Sequence, residues 1–215
     1  MTRGGVSRRW ALALLSASPL ALIGAAPEAL PRRKAKFSYT SRELKIRVEI
    51  PDLLRTTDRH AMKMLEGGYP TRLVYDMAVY AKGARAPRAA VHVEVSVQWD
   101  PWNQDYLVQT AIGGAKPTVR RFALRDDAIK ASTSLFVAIA QTADVPRGED
   151  QVHFVHVVAQ RNPIEVKTGT SGGDARGQDR DLEVFSRWVG MFVRSRPTAE
   201  KVVEFRTHPF YIPQD

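Results

Sequence analysis

Thr71-Arg72-Leu73-Val74-Tyr75-Asp76-Met77-Ala78-Val79-Tyr80, followed by Val91-His92-Val93-Glu94-Val95-Ser96-Val97-Gln98-Trp99, decides the fold. In the first run Leu73, Tyr75, Met77 and Val79 share one parity, while Arg72 and Asp76 take the other. In the second, four valines and Trp99 alternate with His92, Glu94, Ser96 and Gln98. Successive side chains of a strand point to opposite faces, so each run is a long strand with one buried face. Asp100-Pro101-Trp102-Asn103-Gln104-Asp105 turns the chain, and Tyr106-Leu107-Val108-Gln109-Thr110-Ala111 brings it back. The pattern is an antiparallel meander.

Upstream, Leu44, Ile46, Val48 and Ile50 alternate with Lys45, Arg47 and Glu49, giving a strand closed by Pro51. Asp52 is placed to cap a helix running to Glu66, with Leu54, Ala61, Met62 and Leu65 on one side and Gly67-Gly68 as its stop. Residues 82–87 read as a loop. Downstream, residues 113–117 form a turn and 118–124 a further strand. Asp126 opens a second helix in which Ile129, Ser132, Leu135, Phe136 and Ile139 recur at helical spacing, until Val145-Pro146-Arg147-Gly148 breaks it. Residues 151–161 are apolar on both parities, as in a central strand, and Pro163 closes them. A mobile Gly-, Thr- and Ser-rich loop is expected over 167–180 and a third helix over 181–194. Val202-Val203-Glu204-Phe205 is expected as a last strand. The chain is thus expected to be mainly β (α+β), an antiparallel β-sandwich-like meander with about three covering helices, in one β-rich domain over 37–215.

The chain has 215 residues, 44% hydrophobic, enough for one domain with a sizeable core. Residues 2–9 are positive, the run from Trp10 to Ala26 is apolar, and Ile23-Gly24-Ala25-Ala26 offers small residues for cleavage before Pro27. This three-part layout is that of a signal peptide over 1–26, which implies a periplasmic or secreted protein. Arg8-Arg9 loosely fits a twin-arginine signal, but paired arginines are common in positive leaders, so the general secretory route is favoured. An uncleaved anchor is the alternative, disfavoured by Pro19 within the run, and no later segment is apolar enough to span a membrane. Residues 27–36 read as a basic, flexible lead-in. The absence of cysteine excludes disulfides, thiolate metal sites and cysteine nucleophiles.

The net charge of +9 is spread along the chain, apart from Arg32-Arg33-Lys34-Ala35-Lys36. A solvated basic surface fits it better than a nucleic-acid site, and no RNA-binding signature or zinc-finger spacing is present. The histidines are His60, His92, His153, His156 and His208. His153 and His156 stand at an odd separation on a strand, which sends their rings to opposite faces, so no metal site is assigned. Asp100 and Asp105 bracket the Trp102 turn, but the loop lacks EF-hand spacing and reads as a turn. Thr168-Gly169-Thr170-Ser171-Gly172-Gly173 lacks the Lys-Ser/Thr ending of a phosphate loop, and no Gly-x-Ser-x-Gly elbow or Ser-x-x-Lys motif occurs. No catalytic residue and no cofactor is therefore assigned. The one candidate partner-binding set is Trp99, Trp102 and Tyr106, an aromatic platform; its alternative is that Trp99 is core and Trp102 caps the hairpin.

The run from Asp52-Leu53-Leu54 through Gly67-Gly68-Tyr69-Pro70-Thr71 resembles a known family, as do the Gln98-Trp99-Asp100 hairpin and Phe122-Ala123-Leu124 with its helix. Over roughly 44–163 the chain is similar to an uncharacterised family of exported bacterial proteins, domain of unknown function 4390. The resemblance implies a periplasmic address and supplies no site residue. Together these readings point to a non-catalytic binding or interaction module of the cell envelope, with an envelope protein, a glycan or a lipid as partner. The rival readings are a hydrolase whose His and Asp residues converge on folding and a carrier with an apolar cavity.

Overall fold

The computed structural model describes residues 29–164 and 199–214. In chain order these form β1 (Arg32–Arg33), β2 (Lys36–Tyr39), β3 (Glu43–Glu49), α1 (Arg59–Glu66), β4 (Thr71–Ala81), β5 (Ala89–Asp100), β6 (Asp105–Ile112), β7 (Thr118–Phe122), α2 (Arg125–Thr133), β8 (Ser134–Gln141), β9 (His153–Pro163) and β10 (Ala199–Thr207). The signal-peptide segment, the glycine-rich loop and the third helix expected from the sequence lie outside the described residues.

The protein is mainly β. Seven strands make one sheet in the order β1-β10-β9-β4-β5-β6-β7, and three make a second in the order β2-β3-β8. The meander is present as expected: Leu73 pairs with Val95, Tyr75 with Val93, and Trp99 with Tyr106 across the Asp100 turn. Leu73, Tyr75, Met77 and Val79 are buried together with Val93, Val95 and Val97. At roughly 1.5–3 kcal/mol for each fully buried aliphatic side chain, this row is a dominant stabilising element. Its cover is the small sheet, with β8 against β4 and β5, together with α1 and α2. The inner row is therefore sealed from water. As expected for a central strand, β9 is buried on both faces, antiparallel to β4 on one side and β10 on the other.

Three sequence expectations are corrected. Residues 27–36 are not a flexible lead-in throughout, because Arg32 and Arg33 pair in parallel with Arg206 and Thr207 of β10, and Lys36 opens β2. Helix α1 starts later than Asp52. Its N-cap is Asp58, whose carboxylate accepts from the Ala61 amide at 3.2 Å. Asp52 is instead held by Arg55 and by Arg33 at 2.7 Å, and these bonds, that of Arg55 first, keep its carboxyl below the usual range. The C-terminal end follows expectation, with Gly67 as the cap and Gly68 at φ 79° beyond it.

The third correction concerns the second helix, which ends at Thr133. There the Ser132 and Thr133 hydroxyls donate back to the Ile129 carbonyl at 2.8 Å each. The chain continues directly as β8. Ser134-Leu135-Phe136-Val137-Ala138-Ile139 fits helical spacing and alternation equally, a known ambiguity of short apolar runs. Tertiary structure decides: β3 offers a free edge, and alternation buries Leu135, Val137 and Ile139 while Phe136 stays 54% exposed.

Candidate functional site

Strand β8 ends the small sheet, with β3 on one side and no strand on the other among the described residues. The β3–β8 register is continuous from Glu49 opposite Ser134 to Lys45 opposite Ala138, then shifts, leaving Ile139 as an extra residue. A bulge of this kind bends a strand and discourages pairing beyond it. The straight open edge of β8 is therefore residues 134–138, about 17 Å at ~3.4 Å per residue.

Two clefts adjoin this edge. The smaller, about 360 Å³, lies between residues 134–137 of β8 and the β6–β7 hairpin and is lined by Thr110, Ile112, Lys116, Thr118 and Arg120. The larger, about 700 Å³, lies between residues 138–141 and the start of β5 and is lined by Arg42, Glu43, Arg88, Val91 and Asp144. The β6 register on β5 starts at Val93, so residues 89–91 have no β6 partner beside that cleft.

The adjacent arginines of β7 go to opposite faces. Arg121 pairs in register with Leu107 and reaches the Asp100–Asp105 turn, where its Nη1 lies 2.9 Å and 3.0 Å from the two Asp105 oxygens and 3.4 Å from Asp100 Oδ2. Asp100 also accepts from the Trp102 and Asn103 amides at 3.0 Å and 3.3 Å and from the Asn103 side chain at 2.7 Å. The Asn103 side-chain bond, then the backbone donors and Arg121, hold its carboxyl below the usual range. The pair is a turn closed by a guanidinium. Arg120 pairs in register with the buried Val108, so it faces the smaller cleft, with its guanidinium carbon 4.9 Å from the Phe122 ring centroid.

Among the expected aromatic residues, Trp99 and Tyr106 meet at 4.7 Å between ring centroids, tilted by 52°, at the border of the core. Trp102 is 92% exposed at the hairpin tip, and no ring contact joins it to them among the described residues.

The histidines are dispersed. His153 is fully buried and donates from Nε2 to the Pro146 carbonyl at 2.9 Å. Its odd separation from His156 does place the two on opposite faces of β9. His156 meets Glu204 at 3.0 Å, and burial pushes its pKa down against that carboxylate's opposing pull. His92 lies between Asp76 at 2.7 Å from Nδ1 and Glu94 at 3.0 Å from Nε2, with Arg72 3.1 Å from Glu94. The Asp76 bond is the main cause of its raised pKa, with Glu94 adding to it and burial opposing. Two carboxylates accept from the two ring nitrogens, the arrangement an imidazolium satisfies. His60 and His208 are exposed. Neither cleft is lined by a histidine, Asp100 or Asp105. Among the described residues no group of three or more metal-ligating side chains is assembled.

A further ionic cluster supports the scaffold. Arg161 of β9 lies beneath the start of α1, reaching Asp58 at 2.8 Å, Glu200 of β10 at 3.1 Å and the Leu53 carbonyl at 3.3 Å. It ties the helix cap to two strands, and the Arg161 bond is the main reason that the Asp58 carboxyl is held below the usual range.

No family model, curated protein or solved structure matches the chain.

The β8 edge was missed in the sequence because residues 134–139 also carry a helical pattern. The available signal was the strict alternation of Leu135, Val137 and Ile139 after two hydroxyl residues, Ser132 and Thr133, that favour a helix end.

Proposed function

We propose that this is an exported, non-catalytic interaction module of the cell envelope that captures an extended segment of a partner protein along β8. The observation that carries the reading is the unpaired edge at residues 134–138 with a cleft beside it. Strand addition uses this arrangement: the backbone edge provides affinity, and side-chain pockets alternate along it. The positive, apolar and small-residue layout of residues 1–26, and the resemblance of residues 44–163 to domain of unknown function 4390, support the envelope address. The sealing of the inner valine row and the dispersal of the histidines away from both clefts support binding over hydrolysis.

Position-specific photo-crosslinking in the native envelope tests the reading. A photoreactive side chain at Phe136 on β8 is expected to give a discrete protein adduct that the same group at Val119, on the β7 edge, does not. Adducts from Val119 alone, or from neither position, would overturn it.

A further inference from the structure

The open edge of β8 is bordered at both ends by cations. Lys116 and Arg120 line the smaller cleft, which contains no carboxylate. Arg42 and Arg88 line the larger, together with Glu43 and Asp144. Glu43 is already paired with Lys45 at 3.0 Å. Among the described residues, none of Arg42, Arg88, Lys116 and Arg120 has a carboxylate within 4.0 Å, and all four are exposed. Three other arginines are used internally: Arg121 by Asp105, Arg125 by Glu66 at 2.6 Å, and Arg161 by Asp58. The edge where a strand could be added is thus flanked by cations that have no carboxylate partner among the described residues.

Resting on the strand-addition reading, we propose that the segment received at β8 is acidic, with carboxylates at alternate positions. Added beside β8, a strand sends one parity inward, alongside Leu135 and Val137, and the other outward, alongside Phe136. Inward carboxylates meet Arg120 and Lys116. Outward apolar groups meet Phe136, over which Arg47 lies at 5.0 Å from the ring centroid. Basic side chains guard edges against neutral and basic strands, since a like-charged strand is repelled. An acidic strand turns the same guard into attraction. The device therefore blocks indiscriminate edge pairing and selects one class of partner.

The test is fluorescence anisotropy on the full chain with three labelled peptides of equal length, in which Val or Ile alternates with Glu, Gln or Lys. The Glu peptide is expected to bind about tenfold tighter than the Gln peptide, from two exposed charge pairs. The Lys peptide should be weakest, and the spread should narrow at high salt. The paired reversal Lys116→Glu and Arg120→Glu should abolish the preference for Glu, whereas Arg85→Glu, in the exposed β4–β5 loop, should leave the order unchanged. Equal binding of the three peptides, with protection of the β8 amides by each, would overturn the acidic preference and leave strand addition standing. Binding of none would overturn both. Concentration-dependent pairing of two copies through β8 that excludes the Glu peptide would overturn the acidic occupant in favour of a second copy.

Discussion

Replacing Arg161 by Met is expected to destabilise the fold by about 2–3 kcal/mol while preserving its packing volume. The magnitude follows from what is left behind. Breaking a buried pair by removing one partner costs about 3–5 kcal/mol when the orphaned charge stays dry. Arg161 keeps only 6% of its side chain exposed, but Asp58 retains 26% and Glu200 38%, so water relieves both carboxylates and the cost falls below that range. Loss of the donor to the Leu53 carbonyl adds roughly 1 kcal/mol. Asp58→Asn should cost less, about 1 kcal/mol, because an Asn oxygen still caps the Ala61 amide. In urea, with a slope of roughly 2 kcal/mol/M, the Arg161→Met midpoint should fall by about 1–1.5 M at unchanged slope. The pH dependence has a definite sign. The Asp58 carboxyl is lowered in the folded state, so its contribution is present above the unfolded value near ~3.9 and is lost as pH falls through the folded pKa. The gap between wild type and Arg161→Met should therefore shrink below that value. A midpoint shift under roughly 0.25 M, or an Asp58→Asn penalty equal to that of Arg161→Met, would refute the reasoning.

Of the strand histidines, His92 and His156 should titrate on opposite sides of ~6.5 by NMR, His92 above and His156 below. His92 thus adds stability below ~6.5 that is lost as pH rises through its folded pKa, whereas burial of neutral His156 loses stability as pH falls below ~6.5. Asp76→Asn should bring the His92 titration down. Tyr75→Phe should cost about 1–2 kcal/mol in chemical denaturation, because the buried Tyr75 hydroxyl donates to the Ser132 carbonyl at 2.8 Å. In an alkaline absorbance titration Tyr80 should ionise only near about 12, pushed up by burial, and Tyr75 should follow later. Trp102→Ala should change stability by less than about 0.5 kcal/mol, since the ring is almost wholly exposed.

What the sequence reveals about this protein depends on how many structures a local pattern can fit. The valines of β5 and their opposite parity fit only a half-buried strand, and the structure places them accordingly. The both-parity apolar run of β9 likewise leads to a central strand. Residues 134–139 satisfy two periods, and the choice lies with β3, distant in sequence. The N-cap differs from the Asp52 expected from the sequence for a similar reason: Arg33, distant along the chain, engages Asp52, while Asp58 caps Ala61 with one oxygen and meets Arg161 with the other. The candidate site combines both difficulties. An open edge exists only once strand order is known, and the different roles of Arg120 and Arg121 follow from the β6–β7 register.

Amide hydrogen exchange across β8, with and without the Glu-bearing peptide, tests the central claim most directly. Addition of a strand should slow exchange at alternate amides within residues 134–138, those directed away from β3, and leave the β7 edge at residues 118–122 unchanged. Unchanged exchange throughout β8 under saturating peptide, or protection confined to β7, would contradict it.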